Sequence, residues 1–422
     1  MNEKLNKNKN FQMARFISLL IGCQGLLMSI LTYADNKITS MVAVSYGILM
    51  FFVFIYTTKT KKVTLFYIIG CIMVLLLELY FLYSGGTEGF GIIWISVLPL
   101  FSVYLFNFTF FFVINSVYFL ILALGMWTPL SQFIYPFSKV FMTRYPLVYL
   151  LSFLFGGFLS YRINKTEEEL DQQRNILKKE IDQASTIQKT FFKQNTKDND
   201  NWEFGYKYLP MSGVTGDLID FFQDDNNTKG FGLFDISGHG ISSGLLSLLV
   251  KVIVKQEYEL TKNDNVAKFV EQINLSYLKE KGEIQNYITG IVGQLNENTI
   301  ELVNAGHPEP IIYRAKTNSF ESVKRPSESI GAIGLKDMPT MYKQQTINFE
   351  QGDELILFTD GIIDCENEEG HTFGKNNIIN SINNHANKTV SEQVKIIIQD
   401  VIDFRKNADK VDDITILIIR KK

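Results

Sequence analysis

The chain has 422 residues, enough for two or three domains, and a formal net charge of −3. Charge is unevenly spread: residues 1–161 hold 10 Lys and Arg against 4 Asp and Glu, and the remainder holds 31 against 40. No basic face stands out, which excludes electrostatically driven nucleic-acid binding. The three cysteines lack metal-ligand spacing and cannot form a paired framework, so Cys23, Cys71 and Cys365 read as small apolar fillers.

Residues 1–15 are polar and basic, an expected cytoplasmic N-terminus. Six apolar runs follow, at 16–33, 41–57, 63–83, 90–106, 108–127 and 144–161. Each is close to the ~20 residues that cross a hydrocarbon core as a helix. The runs are too long and too many for a secretory signal. The fourth contains Pro99, a kink point, and only Asn107 and its neighbours separate it from the fifth. Lys4, Lys7, Lys9 and Arg15 precede the first run. Lys59, Lys61 and Lys62 lie between the second and third, and Arg162 and Lys165 follow the sixth. The positive-inside rule therefore predicts six helices, residues 16–161, in the cytoplasmic (inner) membrane and in contact with its lipid, with both termini cytoplasmic. Glu78 falls inside the third run, and an ionisable residue at that depth is a candidate for sensing. Glu88, in the loop that follows, is a second. The alternative for Glu78 is that it snorkels to the outer interface.

Residues 162–194 change abruptly to a charged helical pattern. Ile163, Leu170, Leu177, Ala184 and Phe191 recur every seven residues, and Ile181 and Ile187 partly fill the other core position. Two readings are open: a parallel coiled-coil linker that makes a homodimer, or one amphipathic helix lying on its own domain.

After the polar break at 195–202, strand-like runs (EFGYKYLP, GDLIDFFQ, KGFGLFDI) precede two helical stretches. The strands YITGIVGQLN, TIELVNAGH, EPIIYRAK, QTINFE and DELILFTDG follow, then a polar segment, the helix VSEQVKIIIQDVIDFRK and the strand DITILIIR. This order predicts an α+β domain of antiparallel sheets with helices grouped on the faces, over 200–422.

Four aspartates punctuate that domain: Asp217 in SGVTGD, Asp235 in FDISGHG, Asp360 in LFTDG, and Asp412 (or Asp413) in VDDIT. Carboxylates beside small residues at strand ends suit a hard cation, and the absence of thiolate or paired histidine ligands favours Mg²⁺ or Mn²⁺ over Zn²⁺. Clustered carboxylates raise one another's pKa unless a cation is present. Two divalent ions would relieve this and lower the pKa of a bridging water, which suits phosphoester hydrolysis.

SGVTGDLIDFF, FDISGHG, LVNAGHPEPIIYR, GDELILFTDGIIDCEN and DDITILIIR, in this order, resemble the SpoIIE/RsbU type of metal-dependent protein serine/threonine phosphatase, a bacterial relative of protein phosphatase 2C (the PPM family). The likeness covers about 200–422. It implies an α-β-β-α sandwich with two Mn²⁺ or Mg²⁺ ions. It also implies Asp217, Asp235, the Ile236 backbone carbonyl, Asp360 and Asp412 as ligands, with Asp413 the alternative to Asp412. The implied substrate is a phosphorylated STAS-domain anti-anti-sigma factor, an anti-sigma antagonist, whose dephosphorylation frees a sigma factor. His239 is a candidate general acid, or it caps the turn; His307 reads as a turn residue. Thr215 stands where the family usually has Gly, which is expected to stiffen the loop beside Asp217. The expected function is a membrane-anchored, signal-regulated phosphatase. The alternative is a membrane receptor or scaffold whose phosphatase-like domain acts by binding.

Overall fold

The computed structural model describes residues 2–86, 88–193, 199–224, 227–238, 240–261, 265–408, 410 and 412–422. It divides into two units, Met1–Arg174 and Asn175–Lys422.

The first unit is helical. It contains α1 (Asn2–Thr32), α2 (Lys37–Thr60), α3 (Thr64–Ser84), α4 (Leu98–Leu105) and α5 (Phe108–Trp127), and α6 (Lys139–Phe191) begins in it. Helices α1 and α2 approach closely because glycines line the contact: a Cβ on Gly25 would lie 2.9 Å from the Gly47 Cα. Small residues that bring backbones together are how apolar helices associate without water to drive them. Ser29 and Ser40 add a hydroxyl contact of 3.0 Å at the same interface.

Among the described residues, five helices are long and apolar enough to cross a membrane, not the expected six. The exception is the fourth run. It forms a 3₁₀ segment, Gly91–Val97, and then α4, which is only eight residues long and has Pro99 in its first turn. Proline lacks the N–H that would continue a preceding α-helix, so the run breaks where a span was expected. The opposite holds at the sixth run. It and the expected linker are one 53-residue helix, α6, in which Pro146 lies near the N-terminus.

The second unit holds two five-stranded sheets. One has the order β1 (Trp202–Leu209), β10 (Ile414–Lys421), β9 (Glu354–Phe358), β6 (Ile311–Arg314), β7 (Ser319–Ser322). The other runs β2 (Leu218–Asp224), β3 (Asn227–Ile236), β4 (Ile288–Leu295), β5 (Thr299–Ala305), β8 (Gln345–Asn348). All pairs are antiparallel. The strands are apolar on both faces because each sheet is covered twice. Trp202, Phe231, Leu302, Leu357 and Leu417 fill the space between the sheets. Leu218, Phe234 and Val292 pack outward on α7 (Ile241–Thr261) and α8 (Val266–Lys281). After a four-residue turn of helix, α9 (Asp360–Ile363), come α10 (Gly374–His385) and α11 (Val390–Arg405), which cover Ile356, Ile416 and Ile418. The result is the expected helix–sheet–sheet–helix layering. Three elements of this unit were not expected: β7, the short turn α9, and α10 within the stretch read as a polar segment.

Candidate metal centre

The four acidic motifs sit where strands of both sheets end. Asp235 is the penultimate residue of β3, Asp217 immediately precedes β2, and Asp360 follows β9. Asp412 lies two residues before β10. Strands β2 and β3 pair directly, Leu218 opposite Phe234, which brings Asp217 beside Asp235. Strands β9 and β10 pair likewise, Phe358 opposite Ile416. The two sheets are stitched at this end by Thr359, whose Oγ1 donates to the Asp217 carboxylate at 3.1 Å.

Glycine allows the last approach. A Cβ on Gly361 would fall 1.9 Å from the Asp413 carbonyl oxygen, so only glycine after Asp360 lets the 412–413 backbone lie against it. Gly216 acts similarly, since a Cβ there would be 3.2 Å from the Ile236 carbonyl oxygen.

The electrostatics register the crowding. Burial first, then the charge of Asp235, holds the Asp217 carboxyl well above the usual carboxylate range, although the hydrogen bond from Thr359 pulls the other way. Burial, then Asp360 and Asp412, pushes Asp235 up to about 7. Asp360 is raised by burial, then by Asp412 and Asp364. All four acids therefore belong to one interacting group. No three of them, or of any His, Cys, Asp or Glu among the described residues, converge tightly enough to form a ready-made cage. Anions that raise one another's pKa across a short gap are nevertheless the donor set a hard divalent cation needs, so these residues fit such an ion.

Asp412 and Asp413 differ. The Asp413 carboxylate accepts from Met211 N and Gly216 N, both at 2.7 Å, and is buried. It clamps the loop that carries Asp217. Asp412 is exposed; both charges raise Asp235, Asp412 more than Asp413, and of the two it is Asp412 that raises Asp360.

Other expected residues fall elsewhere. His239 lies outside the described residues. His307 is buried; its Nδ1 is 3.0 Å from Thr289 Oγ1, and burial pushes its pKa down to about 3. It is a neutral packing group opposite the Asp235 strand, since Thr289 pairs with Asp235. A further acid of β2, Asp220, is held by Lys251 at 2.7 Å. Glu78 and Glu88 belong to the helical unit. Glu78 is fully buried within α3, which excludes snorkelling, while Glu88 is an exposed loop residue with φ of 51°.

Sequence reasoning missed Gln188. Its side chain, 4% exposed, donates to Thr215 O (2.7 Å), Gly244 O (3.1 Å) and Ser247 Oγ (3.0 Å), and accepts from Thr215 N (3.0 Å). Thr215 in turn accepts the Asp217 N–H on its hydroxyl at 3.0 Å, a bond that glycine in its place would lack. The available signal was spacing: Ser185, Gln188 and Phe192 are three and four residues apart and all buried. That stripe is distinct from the heptad stripe of Leu170, Leu177 and Phe191, which stays exposed.

Residues 225–422, just under half the chain, match the family model of stage II sporulation protein E (SpoIIE). Over those residues the C-terminal domain is similar to the SpoIIE family. Phosphoserine phosphatase RsbU of Bacillus subtilis (strain 168) is 24% identical over 284 residues, covering 65% of this chain and 79% of that protein. Phosphoserine phosphatase RsbP of the same organism is 26% identical over 192 residues, covering 44% of this chain and 46% of RsbP, so the chain spans less than half of that relative. Among solved structures, the SiaA-PP2C domain of Pseudomonas aeruginosa superposes with a TM-score of 0.50 at 18% identity, covering 59% of this chain and 98% of that domain. The SpoIIE domain therefore shares the protein phosphatase 2C fold, and its acidic end is where four of its motifs meet.

Proposed function

We propose that the chain is a membrane-anchored, metal-dependent protein serine/threonine phosphatase. The observation that carries this reading is the interacting group Asp217, Asp235, Asp360 and Asp412, at one end of two sheets in a SpoIIE-like domain. These four, with the Ile236 carbonyl, would hold two Mn²⁺ or Mg²⁺ ions. When bound, such ions supply an acidified water and charge stabilisation for phosphoryl transfer. The protein's own part is placement. Asp413 fixes the loop before β2 through two backbone N–H groups, Thr359 orients Asp217, and Gln188 with Thr215 sets the Asp217 backbone. The reaction is hydrolysis of a phosphoserine or phosphothreonine ester to the free hydroxyl and inorganic phosphate. A phosphorylated STAS-domain anti-sigma antagonist is the substrate class, supported by the likeness to RsbU and RsbP.

The five long apolar helices, with the shorter apolar segment Gly91–Tyr104 as a broken sixth crossing, and the lysine-rich loops support a multi-pass protein of the inner membrane with both termini cytoplasmic. The exposed heptad residues Leu170 and Leu177 support a homodimer through the linker, residues 162–194, by which a signal reaches the domain.

One experiment compares full-length wild type with Asp235→Asn and Leu170→Glu/Leu177→Glu on phosphorylated STAS-domain proteins of the cell, in Mn²⁺. Wild type releases phosphate, Asp235→Asn loses turnover by about 10³-fold or more, and the linker variant changes mass or rate. A folded but inactive wild type sinks the enzyme reading; unchanged mass and rate in the linker variant sink the dimer.

A further inference from the structure

Five large apolar side chains of the SpoIIE domain stand exposed on two neighbouring segments. Ile284 and Tyr287 lie on the turn between α8 and β4; Ile330, Met338 and Met341 lie between β7 and β8, and the five are 41–60% exposed. The segments are pinned together. The buried Lys281 ammonium donates to Asn286 O at 2.8 Å and to Gly334 O at 2.6 Å. Ile288 and Ile333 exchange two backbone bonds of 2.8 Å, and Ile330 and Met341 exchange two of 2.7 and 3.0 Å. Lys336 pairs with Glu283 at 3.1 Å, so these two charges offset each other. A lysine withdrawn from water to order two surface turns is a costly device unless those turns must keep one shape.

The platform is continuous with the acidic end. Ser237, next to Ile236 and two residues from Asp235, exchanges backbone N–H···O and N–H···Oγ bonds of 2.9 Å with Tyr287, and the Asn286 amide donates to the Ser237 carbonyl. A macromolecule that presents a phosphorylated side chain to the acids therefore comes up beside the Tyr287 turn. Recognition there has to be apolar. The C-terminal part is acidic, 40 acidic against 31 basic residues after position 161, and repels a phosphoprotein at long range. Contiguous exposed apolar surface is where protein partners dock.

We propose that Ile284, Tyr287, Ile330, Met338 and Met341 form the docking platform for a folded phosphoprotein substrate that carries apolar side chains beside its phosphoserine. This rests on the phosphatase reading. The test uses the full-length protein in detergent with Mn²⁺ and two probes, p-nitrophenyl phosphate and a phosphorylated STAS-domain protein of the same cell. The variant Tyr287→Ser/Met338→Ser/Met341→Ser keeps the Tyr287 backbone bonds to Ser237. The ratio of phosphoprotein to p-nitrophenyl phosphate kcat/KM is expected to fall about tenfold or more, through KM, and to fall equally at high salt. An unchanged ratio, or an equal loss on both probes, overturns the platform. A wild type that hydrolyses p-nitrophenyl phosphate but no folded phosphoprotein also overturns it, while leaving the phosphatase reading standing. A wild type inactive on both fails at the earlier step and removes the basis of both.

Discussion

Buried carboxylates keep different company in the two units. In the SpoIIE domain Asp413 is satisfied by two backbone N–H groups, Asp353 is paired with Arg314 at 2.9 Å, and one oxygen of Glu354 is paired with Arg420 at 2.7 Å. In the helical unit Glu78 is fully buried, and neither of its carboxyl oxygens has a hydrogen-bond partner among the described residues. The apolar packing differs as well. The domain is filled by three cores on and between its sheets, whereas α1 to α5 surround a cavity of about 730 Å³ lined mostly by apolar side chains. Where a buried acid has a partner, it serves the fold; where acids press on one another or stand alone, stability alone does not account for them.

The sharpest way to break that distinction is the neighbouring pair. Asp412→Ala is expected to remove p-nitrophenyl phosphate turnover by about 10³-fold with little change in unfolding. Asp413→Ala strands the Met211 and Gly216 N–H groups and is expected to cost about 2–4 kcal/mol of stability. Denaturant titration beside the rate assay separates them, and equal stability losses would mean the two acids share one role.

Next is the pH dependence of the metal-free protein. Asp235 is raised to about 7, and Asp217 and Asp360 are raised too. The folded state therefore binds protons that the unfolded chain has released above about pH 4, where unperturbed carboxylates titrate. The associated stability is full below that pH and is lost as pH rises through about 7. In EDTA the unfolding midpoint of the domain should fall between about pH 5 and pH 8. Added Mn²⁺ should restore it most at the higher pH; a Mn²⁺ effect independent of pH would contradict the carboxylate assignment.

The smallest effect is expected at Glu78. If it serves no ligand, Glu78→Leu should stabilise the helical unit by about 1–3 kcal/mol by removing an unpartnered buried carboxyl. A loss of thermal stability in detergent would instead mark Glu78 as a group that something binds.

Most strands, and the placing of the four acids at strand ends, were legible because their signals are local: apolar runs that meet an acid beside a small residue. What was missed lacks such a signal. Strand β7 is a four-residue edge, SFES, with nothing fully buried, so no alternation could announce it. Helix α10, GKNNIINSINNH, is rich in poor helix formers and buries only Ile378, Ser381 and Ile382, so its polarity hid it. The fourth apolar run was misread because composition outweighed Pro99. Asp412 and Asp413 were indistinguishable because the difference is made by N–H groups about 200 residues away. The spacing of Gln188 with Ser185 and Phe192 was readable, but its role was hidden for the same reason, since its partners lie 27 to 59 residues downstream.

That amide also constrains what mutation can do. Gln188 uses its NH₂ toward three acceptors and its carbonyl toward one donor. Glutamate has the same shape and is reached by one base change or by deamidation, but it has no proton to offer Thr215 O, Gly244 O or Ser247 Oγ. A single-atom exchange would turn the contacts with the Thr215 and Gly244 carbonyls into lone-pair opposition, while the Ser247 hydroxyl can reverse and donate. The end of a helix otherwise tolerant of charge thus contains one position where the mildest chemical ageing is among the most damaging changes available.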